Sequence, residues 1–178
     1  FFCQSRLRAD KSKGIILSKN DRILVFAPHP DDETIGTGGI LEEAIQQKIP
    51  VEVVYFTNGD SNEAAFIVYK KRLIMRQKEF INMGKMRRQE ALNAMKLLGL
   101  STKQLIFLGY PDCGTMNIFT NYWRAKHPFR SLLTRISHVP YNECLSPNAP
   151  YTGESILKDF KKVLLDFKPT KIFITNPV

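Results

Sequence analysis

Four short apolar segments, separated by stretches with helical periodicity, constrain the fold of this chain more than any other feature. The apolar segments are residues 22–27 (RILVFA), 51–57 (VEVVYFT), 105–108 (LIFL) and 171–175 (KIFIT). Each is short enough for a buried strand, and each is followed by Pro, Gly or Asn. Helices are predicted over residues 34–48, most of 62–99, and 155–167, and Gly99 is the predicted C-cap of the second helix. Strands that alternate with helices predict an α/β domain with an open, mainly parallel sheet.

The two ends of the chain suggest a piece of a longer protein. Residues 1–21 form a polar, basic lead-in. We interpret it either as trimmed from a longer N-terminus, for example at the edge of a signal peptide or anchor, or as an arbitrary boundary of this chain. Residues 22–178 are interpreted as the N-terminal part of a single domain. The chain stops three residues after the fourth predicted strand, so we expect the natural domain to continue beyond Val178.

The composition excludes several classes of protein. With 178 residues and 43% hydrophobic content, the chain is able to bury a core, and it has no run of about 18 apolar residues. We therefore expect this stretch to be soluble, in the cytoplasm or at a membrane surface. Cys3, Cys113 and Cys144 are scattered, which argues against a disulfide framework or a cysteine-bound zinc ion.

A net charge of +9 is concentrated between residues 69 and 88, where eight basic residues accompany one acid, Glu79. We interpret this segment as the solvated face of a helix. The second interpretation is that residues 70–88 attract an anionic surface. No nucleic-acid-binding motif accompanies the charge, so no nucleic-acid partner is expected.

Polar residues follow every predicted strand. Ligands of open α/β sheets bind beyond the carboxyl ends of the strands, so these residues should meet at one edge. They are Pro28-His29-Pro30-Asp31-Asp32-Glu33, Thr57-Asn58-Gly59-Asp60, Gly109-Tyr110-Pro111-Asp112 and Asn176-Pro177.

The first of these loops carries the clearest chemistry. A histidine three residues before a carboxylate suits zinc, which takes nitrogen and oxygen ligands and keeps one position open for water at catalytic sites. One of the neighbouring acids is then a candidate base for that water. Helix capping accounts for one or two of the acids. We interpret Glu33 as an acid at the helix start, and the second interpretation is a residue that supports the site residues from behind. Capping does not account for His29 between two prolines.

Three glycines follow this loop. Gly36, Gly38 and Gly39 lack the G-x-G-x-x-G spacing of a dinucleotide-binding turn, and acids precede them. We expect them to permit close packing of the helix on the sheet.

The motifs, taken in order, resemble those of the PIG-L/LmbE-like deacetylase family. The resemblance rests on the His29 loop with the glycines after it, and it continues to the end of the chain from about residue 22. Its further elements are Thr57-Asn58-Gly59-Asp60, Arg87-x-x-Glu90, Gly109-Tyr110-Pro111-Asp112 and Lys168-Pro169.

This resemblance implies a Rossmann-like three-layer fold, truncated here after the fourth strand, and a zinc-dependent hydrolase. The substrate implied is an N-acetylated sugar or glycoconjugate of the N-acetylglucosamine type, from which the acetyl group is removed. By position, His29 and Asp32 match the zinc ligands and Asp31 matches the general base. Arg87 and Asp112 match substrate-binding residues. The alternatives are a salt bridge on the helix surface for Arg87 and a turn-forming role for Asp112.

One part of the family pattern lies beyond the chain. The third zinc ligand of the family is a histidine just after the fourth strand, where this chain ends at Val178. His138 is interpreted either as a residue of a lid or as a structural loop histidine. Residues 109–153, with Tyr122, Trp123 and Tyr141, are expected to form a loop or lid that shapes the substrate site.

Two other functions remain open from the sequence. One is a non-catalytic domain of the same fold that binds a carbohydrate or an anion. The other is a metal-dependent phosphoesterase, since clustered His and Asp residues also suit phosphoryl transfer.

Overall fold

The computed structural model describes residues 14–61, 76–124 and 126–174. The elements are β1 (Ile23–Ala27), α1 (Asp32–Gln46), β2 (Val51–Thr57), α2 (Gln77–Leu98), a 3₁₀ turn (Thr102–Gln104), β3 (Leu105–Tyr110), α3 (Thr115–Asn121), α4 (Gly153–Phe167) and β4 (Lys171–Ile174). Of the predicted segments, residues 62–75 and 175–178 lie outside the described part of the chain. The prediction of a loop over residues 109–153 was wrong in one respect, because this connection contains the short helix α3.

The four strands form one parallel sheet in the order β3-β2-β1-β4. Ile23 of β1 pairs with Val51 on one side and with Lys171 on the other. The predicted open parallel sheet is therefore confirmed. Beyond the carboxyl end of β1 the chain turns first towards β2, while β4 returns later to the opposite side. A reversal of this kind creates the crevice in which α/β proteins bind ligands.

Helices cover both faces of the sheet, which gives the expected three layers. α1 and α2 pack together on one face, which carries alternate residues of β1 and β2. On the other face, the Phe160 ring of α4 lies 4.7 Å from the ring of Phe26 and 5.9 Å from that of Phe56. Because β1 and β2 are buried on both faces, they are almost continuously apolar.

The helix ends follow local sequence. α2 ends where Gly99 adopts the left-handed conformation, with φ of 102°, as its predicted C-cap role requires. α4 is capped at its start by Thr152, whose hydroxyl accepts the Ser155 amide hydrogen, and at its end by Lys168, just before Pro169. Among the described residues, no helix has the length and apolar character needed to cross a membrane.

The glycines of α1 do not have the predicted packing role. A Cβ atom built at Gly36, Gly38 or Gly39 meets nothing within 4 Å among the described residues. The face of α1 that meets the sheet carries Leu41 and Ala44 instead, and both are fully buried.

Candidate active site

The structure brings together all five residues predicted for the site at the carboxyl edge of the sheet. His29, Asp31 and Asp32 come from the turn between β1 and α1, Arg87 from α2, and Asp112 from the turn after β3. Three ion pairs link them: His29 with Asp32, His29 with Asp112, and Asp31 with Arg87.

The His29 imidazole lies between two carboxylates. Its Nδ1 atom is 3.2 Å from Asp32 Oδ2, and its Nε2 atom is 2.6 Å from Asp112 Oδ1. The hydrogen bond with Asp112 raises the pKa of His29; partial burial opposes this effect, and the charges of Asp112 and Asp32 reinforce it. The imidazole is therefore held at both nitrogen atoms in a fixed orientation.

Asp112 is anchored by the turn after β2. Its Oδ2 atom accepts the Ser61 amide hydrogen at 3.1 Å. Burial alone raises the pKa of Asp112, but the hydrogen bond and charge of His29 outweigh it, so the pKa lies below its usual value. Asp112 is therefore held as a carboxylate that orients His29, in the way that a carboxylate hydrogen-bonded to a metal-binding histidine fixes its ring.

The pair of His29 and Asp32 fits part of a zinc site. Two ligand atoms about 2.0–2.1 Å from a tetrahedral zinc ion lie roughly 3.3 Å apart, close to the observed 3.2 Å between Nδ1 and Oδ2. One imidazole nitrogen and one carboxylate oxygen also match the donors that zinc prefers. In the described part of the chain, no group of three His, Cys, Asp or Glu side chains forms a complete metal site. By their chemistry and spacing, His29 and Asp32 could hold a zinc ion only together with a further ligand from outside the described residues.

Asp31 has an unusual backbone and a buried cationic partner. Its φ of 128° and ψ of −30° are disfavoured for any residue with a side chain, at a cost of about 1–3 kcal/mol. Arg87 donates through one nitrogen to the Pro30 carbonyl at 2.6 Å and to Asp31 Oδ2 at 2.9 Å. The Arg87 side chain is buried, whereas that of Asp31 is half exposed. Arg87 therefore fixes the loop from its buried side, while the Asp31 carboxylate stays accessible to solvent at the carboxyl edge of the sheet.

Glu33 lies at the helix start as interpreted, but its side chain is buried, which is unusual for an acid at that position. It lies in the first turn of α1 but is only 1% exposed. One carboxylate oxygen accepts the Asp31 amide hydrogen, and the other accepts the Thr34 hydroxyl, both at 2.9 Å. The run of three acids in the sequence did not distinguish this residue from its neighbours.

A buried pair behind the site was missed in the sequence. The Tyr141 hydroxyl donates to Asp60 Oδ2 at 2.8 Å, and Asp60 is only 1% exposed. Burial raises the pKa of Asp60 to about 6, with the Tyr141 hydrogen bond acting against it. Asp60 was recognisable as a polar residue at a strand end, but nothing local in the sequence marked Tyr141 as its partner.

Tyr141 also shows that the connection after β3 is packed into the body of the protein. Its side chain lies against Gly84 of α2 and Gly109 of β3, where an added Cβ would stand 2.3 Å and 3.0 Å from Tyr141 atoms, respectively. Further along, Ser146 donates to Asp159 of α4 at 2.6 Å. His138 is exposed, and its backbone pairs with Pro150, so its position fits that of a structural loop histidine.

Two of the hollows at this edge are lined in part by His29. A polar recess of about 210 Å³ is lined by His29, Asp31, Arg87 and Asp112. A larger cavity of about 490 Å³ begins at His29, Thr57 and Asp112 and continues over apolar side chains. Its apolar lining includes Phe26, Phe56, Phe119, Trp123, Ile156 and Phe160. Of the three aromatic residues predicted to shape the site, Trp123 lines this cavity, whereas Tyr122 and Tyr141 are not among its described lining residues.

The basic segment is only partly a solvated helix face. Residues 69–75 lie outside the described part of the chain, and Lys78 and Lys85 are exposed on α2. Arg87, in contrast, is buried against the His29 loop. The Arg88 guanidinium lies 4.9 Å from the centre of the Phe107 ring. Arg87 and Arg88 therefore make contacts within the protein. That the basic segment binds an anionic surface stays a prediction.

Comparisons with known proteins agree with the motifs. The sequence pattern of the family described as PIG-L: GlcNAc-PI de-N-acetylase matches residues 24–178. A probable N-acetyl-alpha-D-glucosaminyl L-malate deacetylase 2 of Bacillus subtilis is 32% identical over 91 residues, which are 49% of this chain and 40% of that protein.

Two further matches are more limited. A putative glucosamine-6-phosphate deaminase-like protein of Bacteroides thetaiotaomicron is 46% identical over 39 residues, 22% of this chain and 6% of that protein. The crystal structure of GalB, the 4-carboxy-2-hydroxymuconate hydratase of Pseudomonas putida, aligns with a TM-score of 0.44 and 19% identity, over 88% of this chain and 63% of that one. This chain therefore spans less than half the length of the curated relatives it matches.

Proposed function

Since this chain belongs to the PIG-L family of GlcNAc-PI de-N-acetylases, we propose that it carries part of the active site of a zinc-dependent N-deacetylase. The reaction proposed is hydrolysis of the acetamide group of an N-acetylated sugar of the N-acetylglucosamine type. The observation that carries this proposal is the pairing of His29 and Asp32 at the spacing of two zinc ligands, directly beside Asp31. The deacetylase relative in Bacillus subtilis supports the same substrate class.

The metal would be held by His29 Nδ1 and Asp32 Oδ2, with a third ligand from outside the described residues. The chemistry that zinc supplies when bound is polarisation of the acetyl carbonyl group and activation of water. Asp112 holds the other imidazole nitrogen through its 2.6 Å hydrogen bond, which keeps Nδ1 turned towards Asp32.

Asp31 is proposed as the general base. Its carboxylate lies on the exposed side of the loop, where a water molecule has access, while Arg87 fixes its orientation from the buried side. Asp31 takes one proton from the attacking water as the new carbon–oxygen bond forms. The same proton then goes to the nitrogen of the leaving amine as the carbon–nitrogen bond breaks, which balances the reaction.

The two hollows suggest how the sugar is bound. Asp31, Arg87 and Asp112 present charged groups around the polar recess, where they suit hydrogen bonds to sugar hydroxyl groups. Arg87 and Asp112 are therefore still proposed as substrate contacts, although Arg87 also donates a hydrogen bond to Asp31 and Asp112 forms an ion pair with His29. Trp123, in the wall of the larger cavity, offers an aromatic face of the kind on which a sugar ring stacks.

The test is zinc content and deacetylation measured together on the full-length protein. We expect about one zinc ion per chain, with turnover of an N-acetylglucosamine derivative. Asp32→Ala should lose both metal and activity. Asp31→Asn should keep the metal and lose turnover by about 10²-fold or more. His29→Ala should lose both metal and activity as well, and His127→Ala is its matched control, because His127 is exposed in the connection after β3.

Each assignment has an outcome that would contradict it. Unchanged zinc in Asp32→Ala removes Asp32 from the ligands, and an active Asp31→Asn variant refutes the base. Zinc binding with no turnover of acetylated sugars would support the binding-domain alternative, and phosphate release from phosphoesters would support the phosphoesterase.

A further inference from the structure

The backbone of Asp31 is held in a conformation that a side-chain-bearing residue rarely adopts, with φ of 128°. Asp31 stands at the N-cap position of α1, where a short acidic side chain commonly turns back to the helix amides. Here the carboxylate accepts from Arg87 instead. The disfavoured backbone and the outward side chain belong together, because the first determines where the second points.

Two carboxylates brace this loop from within. Asp32 Oδ2 accepts the His29 amide hydrogen at 2.9 Å, and Glu33 Oε2 accepts the Asp31 amide hydrogen at 2.9 Å. The Asp32 contact involves a residue that is already proposed as a metal ligand. The proposed mechanism assigns no role to Glu33, although it is the most deeply buried of the three acids.

An acid that acts only on the helix dipole does not need such burial. Its effect comes from charge near the helix N-terminus and is compatible with full exposure. Glu33 is 1% exposed, and each of its oxygen atoms accepts a specific hydrogen bond from within the loop and first helical turn. The length of the Glu33 side chain therefore matters as well as its charge, because it places both oxygen atoms within hydrogen-bonding distance of their donors.

We propose that Glu33 is a positioning residue for Asp31: its carboxylate holds the Asp31 amide and so keeps the Asp31 side chain directed at Arg87 and the open edge of the sheet. This inference rests on the proposed function, in which Asp31 is the base, and it extends that function to a residue with no direct contact to substrate or metal. Arg87 secures the side chain and the preceding carbonyl, while Glu33 secures the amide between them.

Two variants separate reach from charge. Glu33→Gln removes the charge but leaves an amide oxygen able to accept the Asp31 amide hydrogen. Glu33→Asp keeps the charge at the helix start but withdraws the carboxylate by one methylene group. We expect Glu33→Gln to keep kcat within about threefold and Glu33→Asp to lower kcat by about 10–100-fold, since displacements near 1 Å have effects of that size. KM and zinc content should change little in either variant.

A second measurement does not depend on turnover. Hydrogen exchange of the Asp31 amide in the metal-free protein should be slow in the wild type and in Glu33→Gln, and faster in Glu33→Asp. Exchange of the amides in β1 and β2 is the internal control for global stability, so a merely structural effect would appear in all of them together.

The outcomes distinguish this inference from the proposed function. If Glu33→Asp keeps kcat while Glu33→Gln loses it, Glu33 acts by charge and the inference is wrong. It is also wrong if neither variant changes exchange at Asp31. If the wild type shows no deacetylation but exchange follows the expected pattern, the proposed function fails while the hold of Glu33 on the Asp31 amide stands.

Discussion

Gly84 lies in the middle of α2, where alanine would ordinarily be the better residue for a helix by about 1 kcal/mol. In this protein we expect Gly84→Ala to be destabilising instead. A Cβ built at Gly84 lies 2.3 Å from the Tyr141 hydroxyl oxygen, 3.0 Å from Tyr141 Cζ and 3.1 Å from Asp60 Cβ. The new methyl group therefore meets both partners of the buried hydrogen bond.

The size of the effect follows from what must move. To reach an ordinary contact near 3.4 Å, the Tyr141 hydroxyl has to shift by about 1 Å, which breaks its 2.8 Å hydrogen bond to Asp60. Overpacking a core costs about 1–3 kcal/mol, and leaving a buried carboxylate without its donor costs about 1–3 kcal/mol more. After the gain in helix propensity, we expect a net loss of roughly 3 kcal/mol, or about 6–12 °C in Tm.

Thermal and urea unfolding, followed by circular dichroism, measure this loss. Gly39→Ala is the matched control, because Gly39 is also helical but an added Cβ meets nothing within 4 Å, so a gain of about 0.5–1 kcal/mol is expected there. Adding Tyr141→Phe to Gly84→Ala should recover part of the loss, since the nearest clashing atom is removed. If Gly84→Ala is as stable as the wild type, Tyr141 does not pack against α2 as described.

Three further predictions concern the same edge of the sheet. Because burial raises the pKa of Asp60 from 3.8 to about 6, the native state binds its proton more tightly, and this contribution to stability is lost as the pH rises from about 4 through 6. Asp60→Asn should therefore abolish up to about 3 kcal/mol of that pH dependence, measured by urea unfolding at pH 4 and pH 7. Asp112→Asn should lower the pKa of His29, followed by NMR titration of the metal-free protein; an unchanged titration would contradict the hydrogen bond between them. Gly109→Ala should lower Tm by several degrees, because φ at Gly109 is 73° and the new Cβ would stand 2.6 Å from the Cys144 sulfur atom. An unchanged Tm would mean that the connection around Cys144 moves away without cost.

The fold was predictable to the extent that it depends on local patterns. The strand over residues 51–57 was predicted with its observed bounds, because an apolar β-branched run between Pro50 and Asn58 is typical of a buried strand. Gly99 marked the end of α2 for a similarly local reason. The helix α3 was missed because the segment over residues 115–121 is short and most of its apolar side chains are exposed, so it has no apolar face with helical spacing.

The site was predictable in its members more than in its contacts. His29, Asp31 and Asp32 were found because they lie together in sequence at a strand end, and the fold brings Arg87 and Asp112 to them. The pairing of Arg87 with Asp31 depends on how α2 packs across the sheet edge, which no local pattern encodes. The burial of Glu33 likewise depends on which side of the first helical turn faces the sheet.

The position of β4 beside β1 has a consequence for how the chain acquires its structure. The Arg22 amide donates to Thr170, a partner 148 residues further along, and Tyr141 reaches Asp60 across 81 residues. Contacts this distant in sequence form only after a large loop has closed. The entropy cost of that closure comes before the contacts stabilise the fold, and this slows folding. During synthesis, the His29 loop is made before Arg87, Asp112 and β4. We therefore expect the edge of the sheet that carries the candidate site to be completed late in the folding of this part of the protein.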